Sequence, residues 1–213
     1  VAPDYLLIDR RVKDAFLPLL EQEIQNMVGE NALDCDSYVH MINEKHFRRV
    51  CGLIDPDKVI FGGRADEQTL RIQPTILDRV TPGDAVMQEE IFGPVLPVIA
   101  YDSIDEALAF VNSREHPLAL YLFSENRALQ KRVLASVPFG GGCINDTIIH
   151  LATSQMGFGG VGNSGMGSYH GKKSFETFSH EKSIVKKYNW LDLPIRYQRY
   201  TKRKEKMLRI FLK

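Results

Sequence analysis

The segment from Gln88 to Pro94 has the highest density of side chains that could do chemistry. It places two carboxylates, Glu89 and Glu90, directly before Phe92 and a Gly-Pro turn. A turn between strands presents side chains outward, so a carboxylate there could accept hydrogen bonds from two ribose hydroxyls while an apolar ring lies beside a cofactor ring. The alternative is a solvated acidic loop whose phenylalanine belongs to the core. The pattern alone leaves both interpretations open.

A second candidate region is glycine-rich, with seven glycines in residues 156–171. It contains no GxGxxG register between a strand and a helix and no Lys-Ser/Thr pair of the P-loop type, which argues against phosphate binding. Dense glycine instead predicts close backbone packing beside a pocket, in which Phe158, Tyr169 and His170 are the large groups. His170 has no second ligand at a suitable spacing, so the pattern favours a hydrogen-bonded or surface histidine over a metal ligand.

The three cysteines lie far apart and form no CxxC pair, which argues against a disulfide framework and against a zinc site. Cys51 lies on the apolar face of a predicted helix and Cys143 in a strand-like segment. Both read as small buried apolar residues rather than nucleophiles. We expect a reducing, cytoplasmic setting.

The elements that must position these residues alternate between strand and helix. Apolar runs predict strands over residues 5–8, 58–61, 72–77, 95–101, 118–123 and 143–144. Helical spacing predicts helices over residues 11–28, 43–54, 104–112 and 125–136, the third capped by Ser103 with Glu106 three residues on. This order predicts an α/β fold with a mostly parallel twisted sheet and helices on both faces.

The composition argues against a disordered, collagenous or coiled-coil protein, because apolar residues make up 44% of the 213 residues. No apolar stretch approaches the roughly 18–20 residues that a membrane span requires. The net charge is zero, but the last 28 residues carry ten basic and two acidic side chains, so the rest carries a net charge of −8. An acidic body of this kind should not attract nucleic acid.

The basic tail has an amphipathic pattern. Apolar residues are spaced to share one helical face, namely Tyr200, Met207, Leu208, Phe211 and Leu212. Lysines and arginines surround them, which is typical of a segment that lies on an anionic membrane surface. The alternative is a solvated tail that docks on the acidic body.

Four stretches together closely resemble the class 3 aldehyde dehydrogenases, which oxidise medium-chain, aromatic and fatty aldehydes. They are APDY at residues 2–5, MQEEIFGPVLP at 87–97, PLALY at 117–121 and the FGG-containing stretch at 158–178. The EEIFGP run is specific to the aldehyde dehydrogenase superfamily, and GNSGMGSYHGKKSF narrows the match to class 3. The resemblance extends from Val1 to about Lys187.

The resemblance implies that this chain is the carboxy-terminal part of a longer polypeptide, whose upstream part carries the nucleophile and the nucleotide-binding domain. In the family the nucleophilic cysteine directly precedes the residue that matches Val1, and the nucleotide-binding domain lies further upstream. We therefore expect a carboxy-terminal part that is inactive alone and whose NAD or NADP is bound mainly by the missing half. Residues 1–178 would belong to the catalytic domain, 179–187 would form a strand that pairs across a homodimer, and 188–213 would be the basic tail. The alternative is a non-catalytic assembly fragment.

The resemblance also assigns individual residues. Glu90 is similar to the glutamate that binds the nicotinamide ribose, and Phe92 to the aromatic residue near the nicotinamide. Substrate-side positions, in an apolar tunnel and at its mouth, fall on Ile148, Leu151, Phe158, Tyr169 and His170. Asn145 matches an asparagine with a structural role after the last core strand. Gly157 departs from the family pattern, where proline is frequent.

Overall fold

The computed structural model describes residues 1–199 and 201–211. The chain divides into two compact units, Val1–Thr177 and Phe178–Lys213. The first unit contains eight strands among its described residues: β1 Leu6–Asp9, β2 Val59–Phe61, β3 Ala65–Asp66, β4 Arg71–Ile72, β5 Thr75–Leu77, β6 Val95–Tyr101, β7 Ala119–Leu122 and β8 Gly141–Ile144. Its α-helices are α1 Arg10–Val28, α2 Glu44–Cys51, α3 Ile104–Asn112, α4 Arg127–Ser136 and α5 Gly171–Thr177.

The main sheet has the strand order β1-β6-β5-β2. Strands β1 and β5 both run parallel to β6, and β2 is antiparallel to β5 at one edge. Strands β7 and β8 form a separate parallel pair, and β3 and β4 an antiparallel one. The predicted α/β fold with a mostly parallel sheet is confirmed.

Helices cover both faces of the main sheet, and adjacent residues of β5 show this directly. Ile76 belongs to a core cluster with Leu17 of α1, whereas Leu77 belongs to a cluster with Phe47 and Val50 of α2. Successive side chains of a strand point to opposite faces, so α1 and α2 lie on opposite sides of the sheet.

Caps explain where several helices begin. The Asn43 side chain accepts a hydrogen bond from His46 N at 3.0 Å at the start of α2. Ser103 Oγ accepts one from Glu106 N at 3.3 Å at the start of α3, as the sequence predicted.

The predicted strand over residues 72–77 is wrong as a single element. It is divided into β4 and β5 by Gln73 and Pro74. Proline has no backbone N–H to donate to a ladder, and the Gln73 N–H donates instead to Arg64 O at 2.9 Å. The chain therefore changes its hydrogen-bonding partner between the two strands.

The second unit contains one α-helix among its described residues, α6 Lys202–Phe211. Residues 179–187 are assigned to neither helix nor strand, and Ile184 and Val185 are exposed there. Tyr200 and Leu212, which the amphipathic prediction included, lie outside the described residues. Across the described ranges, no helix is both long and apolar enough to cross a membrane.

Candidate functional site

The turn before β6 projects its side chains in alternating directions. Ile91 is 1% exposed and belongs to the core cluster around Val50, whereas Phe92 is 75% exposed. Phe92 has a φ of +48°, a left-handed conformation that is strained for an aromatic residue. Gly93 allows close packing next to it, because a Cβ there would lie 2.7 Å from a Val50 methyl carbon. The interpretation that placed Phe92 in the core is wrong, since Ile91 fills that place.

The guanidinium group of Arg49 in α2 forms three hydrogen bonds to this turn. Its Nη1 donates to Glu89 Oε1 at 3.0 Å and to the Glu90 carbonyl oxygen at 3.3 Å. Its Nη2 donates to the Ile91 carbonyl oxygen at 2.6 Å. One guanidinium thus fixes three successive residues, which is the multiple-donor geometry that arginine supplies and lysine does not.

Two further side chains hold the same turn. Asp4 Oδ1 accepts a hydrogen bond from Ile91 N at 2.9 Å, and Arg114 Nη2 donates to the Met87 carbonyl oxygen. Burial raises the pKa of Asp4, while the Ile91 hydrogen bond and the charges of Arg114 and Arg49 oppose that rise. The strained backbone is therefore held by groups from three segments of the chain, as strained functional positions require.

The Glu90 carboxylate is left available by this arrangement. It is exposed, and no group in the described part of the chain donates a hydrogen bond to it, whereas its neighbour Glu89 is paired with Arg49. An unengaged carboxylate can accept two hydroxyl hydrogen bonds, and the Phe92 ring beside it offers an apolar surface. An exposed carboxylate and an exposed aromatic ring two residues apart are what the predicted nicotinamide contact requires.

A second group of side chains packs on one face of the β7–β8 pair. Tyr121 pairs with Cys143 across the two strands. Leu120 and Leu122, on the opposite face of β7, pack against α3 and α4. The face that carries Tyr121 and Cys143 is thus free to pack on the segment that follows β8.

His150 lies against this face and was missed by the sequence analysis. It is 9% exposed, and its ring centroid lies 5.8 Å from that of Tyr121 and 5.7 Å from that of Phe158. Its Nδ1 is 3.5 Å from Cys143 Sγ, while its buried Nε2 has no hydrogen-bond partner among the described residues. Burial lowers the pKa of His150, which keeps the imidazole neutral.

The predicted substrate-side aromatic residues lie together next to His150. Phe158 and Tyr169 exchange backbone hydrogen bonds of 2.9 and 3.0 Å, and their ring centroids lie 5.8 Å apart. The His170 ring lies 4.4 Å from that of Tyr169 and 6.0 Å from that of Phe158. We call Tyr121, His150, Phe158, Tyr169 and His170 the aromatic cluster.

The predicted close packing of glycine backbone is confirmed around this cluster. A Cβ on Gly159 would lie 2.1 Å from the Gly167 carbonyl oxygen, and one on Gly160 would lie 2.2 Å from that of Ser164. Neither position admits a side chain, because both obstacles are backbone atoms. The two arms of the glycine-rich segment can therefore approach closely.

The other predicted residues flank the cluster in sequence. Ile148 is exposed, with a φ of +64° that is strained for a β-branched residue, and Leu151 is half-buried in the single turn of 3-10 helix that follows it. Asn145 accepts a hydrogen bond from Ser124 N at 2.7 Å, which ties the end of β8 to the segment after β7. The structure thus gives Asn145 a bracing position.

The cysteines are less buried than predicted. Cys51 and Cys143 are both half-buried, and burial raises the pKa of the Cys51 thiol. Within the described ranges, no three His, Cys, Asp or Glu side chains lie close enough together to hold a metal ion.

The turn and the aromatic cluster are attached to opposite ends of one short segment. Tyr121 Oη donates to the Val1 carbonyl oxygen at 2.7 Å, and Asp4 holds Ile91. Three Cα–Cα steps separate Val1 from Asp4, so their Cα atoms lie at most about 11 Å apart. The segment therefore links the turn that carries Glu90 and Phe92 to the strand that carries Tyr121.

Comparison with known families agrees with this geometry. The model of the aldehyde dehydrogenase family matches residues 1–184. The chain belongs to that family. The resemblance noted in the sequence is thereby confirmed, and its motifs coincide with the turn and the aromatic cluster.

Among curated aldehyde dehydrogenases, the 4,4'-diaponeurosporen-aldehyde dehydrogenase of Staphylococcus aureus is 46% identical over 215 residues, covering 100% of this chain and 47% of the relative. The rat dimeric NADP-preferring aldehyde dehydrogenase is 49% identical over 187 residues, covering 88% of this chain and 41% of the relative. Rat aldehyde dehydrogenase family 3 member A2 is 46% identical, with 88% and 39% covered.

Solved aldehyde dehydrogenase structures share the fold. The substrate-bound state of Staphylococcus aureus AldH superposes with a TM-score of 0.91 at 46% identity, covering 100% of this chain and 47% of that one. A Burkholderia pseudomallei succinate-semialdehyde dehydrogenase gives a TM-score of 0.75 at 26% identity, covering 84% and 38%. The chain spans about half the length of the relatives it matches.

Proposed function

We propose that this chain supplies the nicotinamide-ribose contact and the aldehyde-facing wall of an NAD(P)-dependent aldehyde dehydrogenase. The enzyme would oxidise medium-chain, long-chain or aromatic aldehydes to carboxylic acids through a cysteine thioester. The observation that carries the proposal is the turn at Glu90 and Phe92, which is held rigidly and joined through Val1 and Asp4 to the aromatic cluster.

The roles of the two turn residues follow from their exposure. The Glu90 carboxylate would accept hydrogen bonds from the ribose hydroxyls, and the Phe92 ring would support the nicotinamide. NAD or NADP, when bound, supplies the hydride acceptor. Because the turn is fixed by Arg49 and Asp4, both side chains would meet the cofactor without reorganisation, which lowers the entropic cost of orientation.

The aromatic cluster favours an apolar substrate. Phe158 and Tyr169 present rings at the start and near the end of the glycine-rich segment, and His150 is held neutral between Phe158 and Tyr121. An uncharged wall of this kind suits the hydrocarbon part of an aldehyde. The Staphylococcus aureus relative is named a 4,4'-diaponeurosporen-aldehyde dehydrogenase, and its similarity covers the whole chain.

The nucleophile would be a cysteine directly before Val1. Of the cysteines present, Cys51 is a poor candidate, because burial raises the pKa of its thiol. A raised pKa lowers the thiolate fraction, and the thiolate is the attacking species. We therefore expect residues 1–213 alone to oxidise no aldehyde.

We also propose that the enzyme is a cytoplasmic homodimer. The rat relative is named as dimeric, and residues 179–187, which carry the exposed β-branched side chains Ile184 and Val185, would pair as a strand with a partner. The tail over residues 200–213 would lie on an anionic membrane surface, where apolar aldehydes partition.

The test is a product balance on the complete polypeptide. We expect one carboxylic acid and one NAD(P)H for each aldehyde consumed, and no turnover by residues 1–213 alone. A native chain of about 24 kDa that forms oligomers but turns over no aldehyde would instead support the assembly fragment.

A further inference from the structure

Asp4 connects the first residues of the chain to the turn that carries Glu90 and Phe92. Its Oδ1 accepts the 2.9 Å hydrogen bond from the backbone N–H of Ile91, 87 residues further along the chain. Ile91 separates the two outward-facing side chains, and its own side chain is buried in the core. Asp4 therefore binds the turn at the residue between Glu90 and Phe92.

The sheet places these two segments side by side. Strand β1 begins two residues after Asp4, β6 begins four residues after Ile91, and the strands are parallel partners with Leu6 opposite Val98. The residues that precede two adjacent parallel strands lie at the same end of the sheet. The Asp4–Ile91 hydrogen bond joins the two connections at that end.

Charges around Asp4 favour its role as an acceptor. Arg49 and Arg114 lie close enough to attract its carboxylate, and each donates to a carbonyl oxygen of the turn. An ionised carboxylate makes stronger hydrogen bonds than a neutral acceptor, and the two positive charges favour the ionised form of Asp4. Removal of Asp4 would leave the Ile91 N–H without its acceptor and would take away a negative charge close to Arg49 and Arg114.

We propose that Asp4 is a positioning residue that fixes the nucleophile's segment relative to the nicotinamide-binding turn. The inference rests on the proposed function, which puts the nucleophile directly before Val1 and the cofactor on Glu90 and Phe92. Hydride transfer needs reacting atoms about 3–3.5 Å apart, and a misplacement of 1 Å costs about a hundredfold in rate. A direct hydrogen bond between the two segments limits such displacement.

The test compares Asp4→Ala and Asp4→Asn with Asp9→Asn in the complete polypeptide. Asp9 lies at the other end of β1 and caps α1, and asparagine caps a helix equally well, so Asp9→Asn is a matched control. The readouts are the single-turnover rate of NAD(P)H formation and the primary isotope effect with aldehyde deuterated at its carbonyl carbon. The NAD(P) dissociation constant and the folded fraction are measured alongside.

We expect Asp4→Ala to slow single-turnover NAD(P)H formation by at least about tenfold. The isotope effect should rise, because hydride transfer becomes rate-limiting, while the NAD(P) dissociation constant stays within about threefold. Asp4→Asn, which keeps an oxygen acceptor, should be intermediate, and Asp9→Asn should match the wild type.

A merely structural role would lower the folded fraction and leave the isotope effect unchanged, and that result would overturn the inference. So would wild-type rates in both Asp4 variants. If Asp4→Ala does not fold, Asp4→Asn decides by the same criteria. A wild-type polypeptide that forms no NAD(P)H would overturn the proposed function itself, and the inference with it.

Discussion

The hydroxyl of Tyr121 donates a 2.7 Å hydrogen bond to the carbonyl oxygen of Val1, 120 residues away in the sequence. Tyr121 belongs to β7, beside Cys143 of β8 and within ring contact of His150. The aromatic cluster is therefore anchored on the segment that also carries Asp4. The same short segment therefore contacts both the aromatic cluster, through Val1, and the turn at Ile91, through Asp4.

Removal of the charge on Glu90 should slow turnover in the complete polypeptide. Hydrogen bonds to a charged acceptor are worth about 1.5–3 kcal/mol each, so Glu90→Gln should misplace the nicotinamide and lower kcat by about tenfold or more. Steady-state and single-turnover kinetics at saturating cofactor measure this. Glu67→Gln, at an exposed surface glutamate, is the control, and unchanged kinetics for Glu90→Gln would refute the assignment.

Phe158→Ala should change selectivity among aldehydes of different chain length more than cofactor affinity. Loss of an aromatic wall removes apolar contact with the substrate's hydrocarbon chain, and one methylene in such a pocket is worth about 1–3 kcal/mol. Ratios of kcat/KM for short and long aldehydes report the change. Phe123→Ala, at an exposed phenylalanine, should leave those ratios unaltered. An equal loss for all aldehydes would make Phe158 a core residue.

His150 should make folding stability depend on pH below about 6.5, the ordinary pKa of histidine. Burial lowers its pKa in the folded state, so the unfolded chain binds the proton more tightly. Stability is therefore complete above the unfolded pKa and falls as pH drops toward the folded pKa. Urea midpoints at pH 7.5 and 5.5 should show a smaller decrease for His150→Gln than for the wild type. Identical decreases would mean that His150 does not contribute.

The tail should bind anionic vesicles in a salt-dependent manner. Each basic residue near an anionic leaflet is worth about 1 kcal/mol, so co-sedimentation should fall with added salt and with truncation before Tyr200. Neutral vesicles serve as the control for non-specific association. Equal binding of the intact and truncated proteins would rule out the tail as the membrane contact and favour docking on the acidic body.

Local patterns in the sequence predicted most of the elements. Helix α3 begins at its Ser103 cap and β6 spans Val95–Tyr101, both as predicted, because the signals for these elements lie within a few residues. The EEIFGP run likewise marked a turn before β6, whereas the cofactor roles of Glu90 and Phe92 came from the family resemblance and stay a prediction. Pro74, which cannot donate a backbone hydrogen bond, indicated a break between β4 and β5. The prediction of one strand over residues 72–77 followed the apolar run and overlooked this proline.

Contacts between distant segments were beyond sequence reasoning. His150 is a single histidine among apolar residues, and only the packing on β7 and β8 shows that it is buried beside Phe158. Arg49 holds a turn about forty residues away, and nothing in its helix distinguishes it from Arg48. The periodicity of a helix gives its buried face but not the backbone groups that its arginines reach.

A crystal structure of the complete polypeptide with NAD(P) bound tests the central claim most directly. We expect the Glu90 carboxylate within hydrogen-bonding distance of the nicotinamide ribose hydroxyls, with the Phe92 ring against the nicotinamide. The Asp4–Ile91 hydrogen bond should be retained. A structure in which another carboxylate holds that ribose, while Glu90 and Phe92 contact only solvent, would contradict the account.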